Sequence, residues 1–143
     1  MYTPFVQVAH LIALLAIILY LGCMDDASKE EALRSLQSTI RKLEKAAESQ
    51  MQRGLPGTAT VQRLTAMRIA YAVVTEQDTL QFSPAELKAA NTLLDSLLPS
   101  LTRMLNKFAE GSSQHTLLVR RIKSIELALL RLDELLGKDF CQA

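Results

Sequence analysis

The sequence predicts an all-α protein in which an N-terminal membrane-anchor helix precedes an antiparallel up-down-up-down four-helix bundle. Three observations support this prediction. The chain carries 16 basic and 15 acidic side chains, yet the first of them is Asp25. Aromatic residues make up only 5% of the chain and Trp is missing, while Leu, Ala, Glu, Lys and Arg are abundant, which favours helix. We therefore assign residues 1–24 to an anchor or signal segment and 25–143 to the bundle.

Charge and cysteine content narrow the classes of function. Every charged residue lies in the body, 25–143, so the net charge of +1 belongs to the body as well. A near-neutral body gives no electrostatic reason to expect nucleic acid as a partner. Two cysteines are too few for a small disulfide-framework protein. A body of this length is enough for one domain with one hydrophobic core.

The anchor prediction depends on the apolar run from Phe5 to Gly22, in which Gln7 and His10 are the only strongly polar residues. A spanning helix needs about 20 apolar residues, within a range of roughly 17–25, so this run is at the short end. Its fully apolar part, 11–21, also has the length of the apolar region of a signal peptide. We expect an uncleaved anchor, with a cleaved signal as the alternative.

The sequence Tyr20-Leu21-Gly22-Cys23 resembles a bacterial lipobox, in which a Cys follows a small residue and an apolar pair. The resemblance implies that residues 1–22 are removed and that Cys23 carries the lipid. Two positions differ from the usual pattern, because Tyr20 replaces Leu and Leu21 replaces a small residue. An exported signal normally has a positively charged residue before its apolar run, and this chain has none there.

The side of the membrane on which the body lies is ambiguous in the sequence. Lys29 and Arg34 follow the anchor and no basic residue precedes it, which favours a cytoplasmic body. Acidic residues accompany them, however, and large domains are translocated regardless of such charges. Because a signal-like segment opens the chain, we expect a membrane-anchored protein with an extracytoplasmic body, on the periplasmic side if the source is bacterial.

The body begins with two predicted helices joined by a turn at 55–57. The first runs from about 27 to 53, with apolar residues every three or four positions: Leu33, Leu36, Ile40, Leu43 and Ala47. The second runs from about 58 or 60 to 76, with Thr58 or Thr60 as its cap. It is apolar over more than half of its circumference, which indicates either the buried centre or a partner surface. The residues of that candidate partner surface are Ala66, Ile69, Ala70 and Val73.

The third helix has the strongest start signal in the chain. Ser83 and Glu86 have the spacing of a capping box, and Pro84 occupies the first helical position, where no N–H is needed. Leucines and one Phe then recur every seven residues, at Leu87, Leu94, Leu101 and Phe108. Pro99 lies inside this pattern, and we expect it to kink or break the helix near Leu98.

The fourth helix, from about 113 to 136, has the most regular apolar spacing: Leu118, Ile122, Ile125, Leu129, Leu132 and Leu136. Each glycine of the body is expected at a helix end, where a positive φ is often needed: Gly54, Gly57, Gly111 and Gly137. The basic stretch Arg120-Arg121-Lys123 lies near the start of the fourth helix. It indicates a solvated face or a docking site for an acidic partner or for lipid headgroups.

Short connections predict antiparallel neighbours, so the C-terminus should return to the membrane-proximal end. Cys141 would then lie level with Cys23, and we consider a disulfide between them. The bond requires an oxidising compartment and Cα atoms within about 7 Å of each other. A lipid on Cys23 would exclude it.

No catalytic, metal or cofactor motif is found in the body. Its one histidine, His115, has no Glu three residues before it, and the chain has no Cys-x-x-Cys and no Gly-rich phosphate loop. We therefore predict a non-enzymatic, membrane-tethered interaction or assembly module that binds a protein partner through an apolar helix face or groove. The alternatives are an accessory subunit of a larger membrane complex and a lipoprotein or carrier that holds a ligand in a bundle cavity.

Overall fold

The computed structural model describes residues 11–15 and 26–140, and every regular element in these ranges is a helix. Residues 11–15 belong to the first helix, α1. The four helices that follow are α2 (Asp26–Gln52), α3 (Thr58–Val74), α4 (Pro84–Leu105) and α5 (Ser113–Phe140). No strand occurs in the described part of the chain, so the all-α prediction is confirmed.

The chain divides into two compact units, Met1–Glu30 and Glu31–Ala143. In the first unit, four apolar side chains of α1 are more than half exposed: Leu11, Ile12, Leu14 and Leu15. The rest of the predicted anchor lies outside the described residues, and so do Cys23 and Cys141. Among the helices that are described, none combines the length and the apolar character needed to cross a membrane. The anchor, the lipid attachment and the disulfide stay predictions.

The core of the second unit is formed where α3, α4 and α5 pack against one another in pairs. Ile69 of α3, Leu94 of α4 and both Ile125 and Leu132 of α5 are fully shielded from solvent. Close to half of the residues of α3 are buried. The buried Ser124 hydroxyl donates to the Arg121 carbonyl oxygen at 2.7 Å, so this polar group is satisfied within its own helix.

Two side-chain contacts join α2 to α3. The Gln37 amide donates to the Tyr71 hydroxyl at 3.0 Å, and the Arg68 guanidinium contacts the Glu44 carboxylate at 3.0 Å. As the α2 position rises from 37 to 44, its partner in α3 falls from 71 to 68. The predicted α2 seam is only partly covered, because Leu36 is buried and the other four members are half-buried.

One ion pair joins α2 to α5: Arg120 lies 3.4 Å from Glu31. Both residues lie in the first third of their helices. In an up-down-up-down bundle, the start of the first helix lies beside the end of the fourth, not beside its start. The predicted bundle arrangement is therefore not confirmed.

The start of α4 forms as predicted. The Ser83 hydroxyl accepts from the Glu86 backbone N–H at 3.2 Å, and the Ser83 N–H donates to the Glu86 carboxylate at 2.9 Å. Pro84 is the first helical residue. The leucines of the seven-residue repeat within α4 are buried: Leu87, Leu94 and Leu101.

Three predictions about breaks and caps are wrong in whole or in part. Gly57, not a threonine, precedes the first residue of α3, and no side chain caps that helix. Pro99 does not break α4, which is continuous from Pro84 to Leu105, and the alternative of a kink stays a prediction. Because Pro99 and Asp95 are both exposed, water can solvate the Asp95 carbonyl that loses its hydrogen bond. Gly137, predicted at a helix end, lies within α5. The helix tolerates it because one helical glycine costs only about 1 kcal/mol relative to Ala.

Candidate functional site

An open groove of about 570 Å³ lies between α3 and α4. Its α3 side spans positions 61 to 69 and its α4 side spans 86 to 96. The residues that line it are Val61, Gln62, Thr65, Ala66, Ile69, Glu86, Ala89, Ala90, Thr92, Leu93 and Ser96. We call this feature the α3–α4 groove.

The floor of the α3–α4 groove consists of small and apolar side chains. Ala66, Ile69 and Ala90 are each at least 97% buried. Alanines at the floor leave room for another backbone to approach closely, as small residues do at helix–helix contacts. Val61 and Ala89 are exposed on the walls, so the groove is accessible along its sides.

The three hydroxyl groups and the one carboxylate that line the groove already have hydrogen-bond partners. The hydroxyls of Thr65, Thr92 and Ser96 each donate to a backbone oxygen three or four residues earlier in their own helix, at 2.6–3.1 Å. Glu86 is the one ionisable residue in the lining, and its carboxylate accepts the Ser83 N–H of the capping box. The groove therefore presents a mainly apolar surface, to which the exposed Gln62 adds one amide.

The structure divides the predicted partner surface of α3 between the groove and the core. Ala66 and Ile69 form the groove floor, whereas Ala70 and Val73 are buried and do not line it. The α4 side of the groove was not predicted. A signal was present in the sequence, because small residues recur at the spacing of one helix face: Ala89, Thr92 and Ser96.

A second concave surface lies between α2 and α5. A cleft of about 220 Å³ is lined by Glu31, Arg34, Ser35, Ser38, Lys42, Leu117, Arg120 and Arg121. A shallow depression of about 330 Å³ shares Arg34, Ser38 and Lys42 with it and continues along α2 to Gln37, Arg41 and Lys45. We call the two together the basic cleft, after its six cations: Arg34, Arg41, Lys42, Lys45, Arg120 and Arg121.

The basic cleft contains two of the three predicted basic residues. Arg120 and Arg121 line it, whereas Lys123 is exposed and lies outside its lining. The contribution of α2 was not predicted. Its cations occupy one face, since positions 34, 41, 42 and 45 are separated by seven, one and three residues. That spacing alone did not show that α5 would add two arginines to the same face.

Within the described residues, no group of three His, Cys, Asp or Glu side chains is placed to hold a metal ion. His115 is half-buried at the start of α5, and its backbone N–H donates to the Ser112 hydroxyl at 3.2 Å. Comparison of the chain with protein-family models, with curated proteins and with solved structures found no match. The candidate sites are therefore interpreted from their own chemistry.

Proposed function

We propose that this protein is a non-catalytic, membrane-tethered helical module that binds an amphipathic helix of a partner protein in the α3–α4 groove. The observation that supports the proposal best is an accessible apolar groove in which the lining hydroxyls and the Glu86 carboxylate are already hydrogen-bonded. An occupant of this groove gains from burial of its apolar surface and needs few polar contacts.

The dimensions of the groove suit a short helix. Its α3 side covers eight helical steps and its α4 side ten, which correspond to about 12 and 15 Å at 1.5 Å per residue. Two to three turns of a partner helix have the same length. That length accommodates apolar anchors at i, i+3 or i+4, and i+7, the pattern by which helices bind in grooves.

Two structural features belong to the same proposal. The apolar segment 5–22 holds the chain at a membrane, and α2–α5 form a helical bundle in which consecutive helices are antiparallel. The antiparallel pairs between α2 and α3 support the second part. The Glu31–Arg120 pair leads us to propose further that α2 crosses the other helices obliquely.

Cross-linking from the groove tests the proposal. A photo-activatable residue replaces Ser96, on the groove rim, in the full chain produced in cells of its source. We expect one partner protein, cross-linked through a segment with apolar residues at i, i+3 or i+4, and i+7. Ala89→Glu places a charge on the exposed groove wall and should lower the cross-linking yield at least about tenfold, the effect of 1.4 kcal/mol. Ala85→Glu, at an exposed position of the same helix outside the groove lining, should leave it unchanged.

Three outcomes, two from cross-linking and one from native mass spectrometry, would contradict the proposal. Equal yields from the Ala89→Glu and Ala85→Glu chains would show that the groove is not the binding site. Cross-links confined to a second copy of this chain would indicate self-association. Native mass spectrometry that shows a small apolar molecule bound in the wild-type chain, and lost in Ala89→Glu, would favour the ligand-carrier alternative. Circular dichroism of both variants establishes that they are folded.

A further inference from the structure

We propose that the basic cleft binds the phosphate groups of anionic lipids in the membrane that holds the chain. This inference depends on the membrane tether of the proposed function and adds a second contact with the same bilayer. The cleft lies between α2 and α5, and none of its lining residues belongs to the α3–α4 groove.

The positive charge of the cleft is not balanced locally. Glu31 is the one acidic residue in the lining, and it pairs with Arg120 at 3.4 Å. Glu44 of α2 contacts Arg68 of α3 instead, at 3.0 Å. Within the described part of the chain, no acidic side chain forms an ion pair with Arg41, Lys42, Lys45 or Arg121. A body that nets +1 thus concentrates positive charge on one surface.

The side chains of the cleft have the chemistry that phosphate requires. Arginine presents a planar set of donors that matches phosphate oxygens in pairs, and lysine adds a point charge. Ser35 and Ser38 place hydroxyl groups in the same lining. The concave part, about 220 Å³, has a volume that suits a single headgroup.

An apolar side chain at the edge of the cleft favours a lipid over a free anion. Leu117 lines the cleft and is 61% exposed, so it offers apolar surface to whatever binds there. A free phosphate would leave this surface in water. The glycerol and first acyl carbons of a lipid would cover it, which is favourable because apolar area leaves water.

The position of the cleft in the chain also suits a lipid surface. Arg34 stands ten residues after position 24, where the predicted anchor segment ends. Clusters of about four to eight Lys and Arg residues beside a membrane segment bind anionic headgroups, and their attraction extends over a Debye length of about 8–10 Å.

Lysine acetylation in vesicles tests the inference on the full chain. The chain is reconstituted in phosphatidylcholine vesicles, with or without phosphatidylglycerol, and treated with an uncharged acetylating ester. Mass spectrometry reports the rate at each lysine. We expect acetylation of Lys42 to slow about fivefold when phosphatidylglycerol is present, and high salt to remove the effect. Lys107, exposed after the end of α4, should react at the same rate in both vesicles and serves as the internal reference.

A matched pair of double variants locates the effect while Lys42 stays as the reporter. Arg41→Glu with Arg121→Glu reverses two charges within the cleft and should abolish the protection of Lys42. Arg53→Glu with Arg63→Glu makes the same change in net charge at two exposed positions outside the cleft. That control chain should keep the protection.

Each remaining outcome decides the question. Equal Lys42 rates in the two kinds of vesicle, or loss of protection in the control variant as well, would overturn the inference. Protection by glycerol phosphate alone, in neutral vesicles, would identify a free phosphate as the ligand and also overturn it. Flotation with neutral vesicles reports the tether separately. A chain that fails to float there, yet is protected at Lys42 by phosphatidylglycerol, would contradict the tether and support the cleft.

Discussion

At the level of single residues, the end of α3 is unusual because a glutamate stands where glycine is common. Glu76 has a φ of 59°, a left-handed conformation that favours glycine. Its N–H donates to the Val73 oxygen, and the next N–H, of Gln77, donates to the Ala72 oxygen. This pair of bonds is the Schellman motif, which Gly54 also forms at the end of α2, with a φ of 67°. Glu76 occupies a glycine position while its carboxylate lies 2.9 Å from Arg131.

Glu76→Gly should relieve the backbone strain, whereas Glu76→Ala should keep it. Both variants lose the contact with Arg131. The difference between their free energies of unfolding therefore reports the backbone contribution alone. A left-handed conformation costs an L-residue about 1–2 kcal/mol, partly offset by the greater freedom of glycine in the unfolded chain. We expect the glycine variant to exceed the alanine variant by about 1 kcal/mol in free energy of unfolding, measured by urea denaturation. Equal stabilities would show that the conformation is not strained.

The two helix ends explain which local features a sequence reveals. The capping box at Ser83 was predictable because all of its donors and acceptors lie within four consecutive residues. The left-handed Glu76 was not, because a glutamate carries no preference for that conformation and its partner Arg131 belongs to another helix. Hydrogen bonds between neighbouring residues can be predicted from sequence. A contact with another helix that offsets an unfavourable backbone conformation cannot.

At the level of helices, Pro99 makes α4 less stable than its length suggests. Proline is about 3 kcal/mol less favourable than alanine inside a helix. Pro99 is exposed, so its side chain is not part of the buried core. Pro99→Ala should therefore raise the free energy of unfolding by roughly 1–3 kcal/mol in urea denaturation. Pro84→Ala, at the first position of the same helix, should change it little. A loss of stability in Pro99→Ala would mean that the core requires the helix shape imposed by proline.

The apolar spacing predicted that each helix exists but not how well it is covered. The seams of α2 and α5 have the same alternation of three and four residues, yet Leu129, Leu132 and Leu136 of α5 are buried while Leu33, Ile40 and Leu43 of α2 are half-buried. Coverage depends on which helices lie on either side, and three helices pack around the core before α2 adds to it. A one-dimensional pattern does not contain that information.

At the level of the whole molecule, both candidate sites combine residues from different helices. The groove joins α3 to α4, and the basic cleft joins α2 to α5. The sequence predicted only Ala66 and Ile69 in the first and Arg120 and Arg121 in the second. The other residues could not be assigned, because the pairing of helix faces is set by packing and not by spacing within one helix.

The tether yields the prediction for the intact protein. Extraction of membranes with alkaline carbonate should leave the full chain in the pellet and release a chain that lacks 1–24, because only the former has the apolar segment to insert. The intact mass should include residues 1–22. A mass that lacks residues 1–22 and carries two acyl chains on Cys23 would establish the lipoprotein alternative instead. Release of the full chain by carbonate would contradict both forms of membrane attachment.

The separation of the groove and the basic cleft has a consequence for affinity. Because the two sites share no residue, we expect the proposed partner helix and the proposed lipid to bind together, which would make the module bivalent. A membrane protein that offers its helix near the same lipid surface then meets the groove at a raised effective concentration, without any new contact. Weak intrinsic binding at each site would then be sufficient for the partner to stay bound at the membrane. Dilution into detergent would remove that gain even though both sites stay intact.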